Sequence, residues 1–139
     1  AKDHPENPGH IQGLAGAHNN LGNLLADLGH RADAEAEYKK GLTIREKLAA
    51  DFPKNLSIRV DLGGSYCNLG NLVREGGKAA DSLTWYGKAV DTLGPIVTAE
   101  PRAVAARQFL RNSHWGRAQA YDQLGKHAEA EKDWDQTVE

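Results

Sequence analysis

The chain has 139 residues, 17 of them Lys or Arg against 19 Asp or Glu, for a net charge of -2. That length suffices for one ordinary domain with a sizeable core. The charge balance excludes the basic footprint of a nucleic-acid binder, and no apolar run approaches the roughly 20 residues of a membrane span.

The chain opens with Asp3-His4-Pro5, which reads as the tail of an earlier repeat unit. A first helix is expected next, with Leu14, Ala17, Leu21, Leu24, Leu25 and Leu28 recurring at helical spacing on one apolar, packed face. Gly29 supplies the left-handed turn that ends it. A second helix follows, with Ala34, Tyr38, Gly41, Leu42, Ile44 and Leu48 in a stripe, and Pro53 stops it. The pattern then starts again. "HNNLGNLLADLG" at His18 to Gly29 returns as "YCNLGNLVREGG" at Tyr66 to Gly77, an offset of 48 residues.

The same offset aligns Leu14, Leu62 and Leu110, then Gly29, Gly77 and Gly125, then Ala32, Ala80 and Ala128. It also aligns Tyr38, Tyr86 and Trp134, and the triplets "DHP", "DFP" and "AEP". The expectation is one all-α domain over 1–139, built of three helix pairs in units of approximately 6–53, 54–101 and 102–139. No period-2 alternation calls for a strand. Pro95 is expected to break or kink the second helix of the second unit, through its missing donor and a clash with the carbonyl of Asp91. With no Met, and a helical pattern still running at Glu139 without a polar cap, the chain is expected to be a piece of a larger protein.

These positions resemble the tetratricopeptide repeat, whose signature W-x2-L-G-x2-Y … A-x3-F … P lies on each unit. Unit one gives His18, Leu21, Gly22, Leu25, Ala34 and Tyr38; unit two gives Tyr66, Leu69, Gly70, Val73, Ser82 and Tyr86; unit three gives His114, Arg117, Ala118, Tyr121, Ala130 and Trp134. Gly22, Gly70 and Ala118 are small where the helices of a pair approach. The usual repeat has 34 residues, so this one is longer by about four helical turns. That length, with Asn19 to Leu21 and "IREKLAADFP" at Ile44 to Pro53, is most similar to the kinesin-light-chain type. The resemblance implies an α-solenoid, a right-handed superhelical array of antiparallel helix pairs whose first helices line a concave groove. It implies a protein–protein interaction module that binds a peptide or protein segment there.

On the groove side of those helices stand Asn19 and Asn23, then Cys67, Asn68, Asn71 and Arg74, then Trp115 and Gln119. A carboxamide carries donors and an acceptor and so suits a peptide main chain. The same asparagines equally suit a scaffold role, bonding neighbouring helices, and Trp115 suits either a binding anchor or packing against a further unit. One class of these repeats clamps a C-terminal carboxylate with Lys, Asn, Asn, Lys and Arg. Asn23 and Asn68 match its asparagines, but Asn19, Asn112 and Gly116 replace its cations, which argues against carboxylate capture. The alternative function is a structural or self-association array within a larger protein, with contacts through the open ends.

Catalysis is not expected, because no acid, base and nucleophile set can be named. No HExxH, CxxC or i,i+4 histidine pair implies a metal, and no cofactor is expected. His18 and His114 fill the bulky slot of the repeat, while His4, His10, His30 and His127 fall in turns or at helix ends. The lone Cys67 excludes an intrachain disulfide framework and fits a reducing, cytoplasmic setting. The partners expected are a protein or peptide, with no nucleic acid and no membrane.

Overall fold

A computed structural model describes residues 8–138, so Asp3–Pro5 with His4, and Glu139, lie outside the described residues. The described residues form α1 (Pro8–Asp27), α2 (Arg31–Asp51), α3 (Leu56–Glu75), α4 (Ala79–Ala99), α5 (Val104–Gln123) and α6 (His127–Asp135), with no strand among them. No described helix is long and apolar enough to cross a membrane. The chain divides into two compact units, Ala1–Leu62 and Gly63–Glu139.

Three helices end alike. Gly29, Gly77 and Gly125 take φ of 84°, 88° and 76°, a region where a side chain would be strained. Each is followed by a residue whose N–H reaches back to the helix: His30 to Leu25 at 2.8 Å, Lys78 to Val73 at 3.1 Å and Lys126 to Tyr121 at 2.8 Å. These are Schellman closures, which satisfy carbonyls that the helix end leaves unpaired. At the start of α3, Asn55 Oδ1 accepts the Ile58 N–H at 3.1 Å, a side-chain cap.

In the first unit α1 packs on α2. A Cβ on Gly22 would stand 2.6 Å from the Tyr38 ring, and one on Gly41 would stand 3.0 Å from the Ala15 carbonyl oxygen. Glycine is therefore required for this approach. Ala15, Ala34, Tyr38, Leu42 and Leu48 are buried. The leucine row expected to be packed is largely not. Leu14, Leu21, Leu24 and Leu28 are exposed by 54%, 43%, 55% and 62%. The face turned to α2 is instead the Ala15–Gly22 line, and the leucines lie to one side of it on the same helix. Their counterparts in sequence on α3, Leu62, Leu69 and Leu72, are buried.

In the second unit α5 packs on both α4 and α6. Between α3 and α4, a Cβ on Gly63 would lie 2.4 Å from Leu93, and one on Gly70 would lie 2.8 Å from the Tyr86 ring. Tyr86, Leu69, Leu93, Ile96, Ala106 and Ala118 make the core. α4 does not break at Pro95; it runs unbroken to Ala99. Asp91 and Pro95 are both exposed, so the carbonyl that loses its helical donor faces water, which blunts the cost of the proline.

Candidate functional site

The repeated asparagines are first of all partners of the repeated tyrosines. In the first unit the Tyr38 hydroxyl on α2 donates to Asn23 Oδ1 on α1. In the second, the Tyr86 hydroxyl on α4 donates to Asn71 Oδ1 on α3 at 2.5 Å. A buried phenol needs such an acceptor, and burial pushes the Tyr86 hydroxyl pKa up to about 12, so it stays protonated.

In the third pair the aromatic is Trp134 and the carboxamide is Gln119. An indole has one donor, and Trp134 Nε1 gives it to Asp122 Oδ2 at 3.3 Å. Gln119 Oε1 instead accepts from Arg74 Nη1 at 2.8 Å. Arg74 also donates from Nε to the Tyr86 oxygen at 3.0 Å, and its guanidinium lies 6.0 Å from the centre of the Trp115 ring. Only 9% exposed, Arg74 is therefore an internal tie between α3, α4 and α5 rather than a cation free on the surface.

Trp115 is different. It remains 47% exposed, with Arg74 against the ring and Trp134 meeting it edge-on at 6.3 Å. A cavity of 370 Å³ opens beside it, lined by Arg111, Asn112, Trp115 and Thr137. Asn68, Asn71 and Gln119 are half-buried nearby in sequence register on α3 and α5. The oxygens of Asn71 and Gln119 are engaged internally, and Asn71 Nδ2 also donates to Cys67 Sγ at 3.9 Å, so what these side chains offer outward is the amide N–H donors of Gln119 and at most one from Asn71.

Cys67 is buried, so it is not a surface contact. Burial pushes its thiol pKa up, despite hydrogen bonds from Ser113 and Asn71, which makes it a poor nucleophile. In the first unit Asn19 is half-buried and Asn23 is exposed beyond its bond to Tyr38. Among the described residues no group of three His, Cys, Asp or Glu side chains is gathered to hold a metal.

The sequence reading missed a second set of cross-helix pairs. His18 Nδ1 meets Glu37 Oε1 at 2.7 Å, Tyr66 stacks on Trp85 at 6.3 Å, and His114 Nδ1 meets Asp133 Oδ1 at 2.7 Å. Each joins the bulky signature position to the residue nineteen further on. Where the first is His the second is acidic; where it is Tyr the second is aromatic. That pairing was visible in the aligned repeats. Asp133 also takes a two-pronged bond from Arg117, at 2.8 Å from both Nε and Nη2. Burial alone would raise the Asp133 carboxyl, but the bonds from His114 and Arg117 outweigh it and hold the pKa below the usual aspartate value.

Against known proteins, the tetratricopeptide-repeat family model matches residues 14–53. Among solved structures, MamA AMB-1 aligns over 88% of this chain and 89% of its own, at 16% identity and a TM-score of 0.24. No curated protein matches the chain.

Proposed function

We propose that the chain is a protein-interaction module that docks a peptide or protein segment on the groove side of its first helices, with the α3 and α5 faces of the second unit as the contact surface. The carrying observation is Trp115, an exposed indole braced by Arg74 and Trp134. A preordered aromatic beside outward amide donors has the make-up of an interface anchor, and those donors suit the carbonyls of an extended main chain. The repeat match at residues 14–53 supports the general reading, since tetratricopeptide repeats are in general non-enzymatic protein-binding elements. The kinesin-light-chain type, the 48-residue unit, the superhelical groove and a share in binding for Asn19 and Asn23 belong to the same reading and rest on the aligned residues. Because Arg74 is internally tied, binding should depend on Trp115 and the carboxamides more than on charge, and salt should weaken it only modestly. The test is to select binders from a random peptide library and titrate them into the parent chain and Trp115→Ala. At least a tenfold loss at unchanged melting supports the proposal; equal affinity refutes it.

The exposed leucines of α1 favour a second reading, self-association. Four large apolar side chains along one helix face exceed the scattered exposure ordinary on a monomer's surface.

A further inference from the structure

Trp115, Gln119 and Asp122 follow one another along one face of α5. Arg74 of α3 reaches that face, with its guanidinium 6.0 Å from the centre of the Trp115 ring and its Nη1 2.8 Å from Gln119 Oε1. Asn71 stands one turn before Arg74 on α3. The oxygens of this row are already in use. Asn71 Oδ1 accepts from Tyr86 and Gln119 Oε1 accepts from Arg74. Asp122 meets His127 Nδ1 with Oδ1 at 2.8 Å and accepts from Trp134 Nε1 with Oδ2 at 3.3 Å.

What the row has left to offer is hydrogen. The Gln119 amide keeps its N–H donors, Asn71 keeps at most one beyond its bond to Cys67, and the Trp115 indole has a single N–H; an indole and a guanidinium carry no acceptor at all. Exposed acceptors stand at the ends of the row, on Asn112 and on Glu75 and Gln123. The middle is a surface rich in donors and poor in acceptors, with an indole 47% exposed in it.

A main chain presents one N–H and one C=O per residue, except at proline. Its carbonyls suit this surface. Its N–H groups, pressed against donors, leave water and find no partner, which costs binding. Proline has no N–H to lose. It also holds the chain in extended polyproline form before binding, which lowers the cost of ordering, and such segments dock on exposed aromatic rings. Arg74 already lies against the Trp115 ring, so a lysine or arginine of the ligand would meet a like charge there. We propose that the occupant of this surface is an uncharged, proline-containing segment of a partner protein, bound in extended polyproline form; this rests on the docking reading above and names the class of its ligand.

The probe is a fluorescein-labelled peptide of Pro-Pro-Ser repeats, followed by anisotropy on the full chain. Replacing the second proline of each repeat by alanine restores an N–H and should weaken binding about tenfold, as a buried donor left without a partner does. N-methylalanine at the same places again lacks the N–H and should recover most of that loss. Gln119→Glu keeps an oxygen for Arg74 and turns an acceptor outward in place of the amide donors. Its melting should not fall, since Arg74 gains an opposite charge, and its preference for the proline peptide over the alanine peptide should shrink to about threefold or less. No binding of the proline peptide, equal binding of the alanine peptide, or an intact preference in Gln119→Glu overturns the inference. A random-library binder that needs Trp115 and contains no proline also overturns it while the docking reading stands; a library in which no binder needs Trp115 overturns both.

Discussion

Tyr86 on α4 donates its hydroxyl hydrogen to Asn71 Oδ1 on α3 at 2.5 Å and accepts from Arg74 Nε at 3.0 Å. The phenol is wholly buried, so one hydroxyl joins two residues of the neighbouring helix where no water can replace it. Tyr86→Phe removes that link and leaves the Asn71 oxygen and the Arg74 Nε short of a partner. The expected cost is about 1–3 kcal/mol, read as a lower midpoint in urea melts. An unchanged midpoint would mean that the hydroxyl is solvated.

Gly70 faces the Tyr86 ring, with its missing Cβ 2.8 Å from ring carbons. Gly70→Leu therefore forces the ring or the helix aside and should destabilise by about 1–3 kcal/mol or more. Helix propensity alone would favour leucine by a little under about 1 kcal/mol, so a stabilised variant would contradict the contact.

The Asp133 cluster predicts a pH dependence. The folded carboxyl has a lowered pKa, held there by His114 and Arg117 against the opposing effect of burial, so unfolding at acid pH takes up a proton more readily than the native state does. Its stabilisation is complete above the unfolded aspartate value of about 3.9 and is lost as pH falls through the lower folded value. Asp133→Ala should cost about 3 kcal/mol near neutrality, as loss of one partner from a buried ion pair does. The gap between parent and variant should close below pH ~3.9. A gap that stays constant to the acid limit would contradict the pairing.

Self-association through α1 predicts a concentration-dependent mass in sedimentation velocity. Leu24→Glu places a charge in the exposed row and should shift the chain to monomer without lowering its melting temperature, since Leu24 is 55% exposed. A variant that melts far below the parent would show the leucine to be part of the fold's own core.

Much of the fold was legible because glycine and proline have few reasons to recur. Gly29, Gly77 and Gly125 marked helix ends and proved to have positive φ. Gly22 and Gly70 marked close approaches and proved to abut tyrosine rings. The fate of the leucines was not legible: periodicity shows that a face is apolar, not whether a neighbour covers it, and Leu21 and Leu69 stand in the same pattern with opposite burial. Arg74 was read as a groove cation because its helix position points that way. Its capture by Tyr86 and Gln119 depends on side chains 12 and 45 residues distant. The His18–Glu37 and His114–Asp133 pairs were legible in principle, through the matched change of both partners to Tyr66 and Trp85 in the middle unit.

Asn71 accepts the Tyr86 hydroxyl at Oδ1 and donates from Nδ2 to Cys67 Sγ, which leaves at most one amide hydrogen for a ligand. Trp115 stands half exposed at the edge of its cluster, packed on one side by Arg74 and Trp134. The most direct measurement is calorimetric titration of one library-selected peptide into the parent chain, Trp115→Ala and Gln119→Ala, with melting recorded for each. The account predicts that Trp115→Ala weakens binding by about 2 kcal/mol or more, as truncation of an anchor residue does, that Gln119→Ala weakens it by about 0.5–1.5 kcal/mol, and that Trp115→Ala melts with the parent. A peptide that binds Trp115→Ala as tightly as it binds the parent would contradict it.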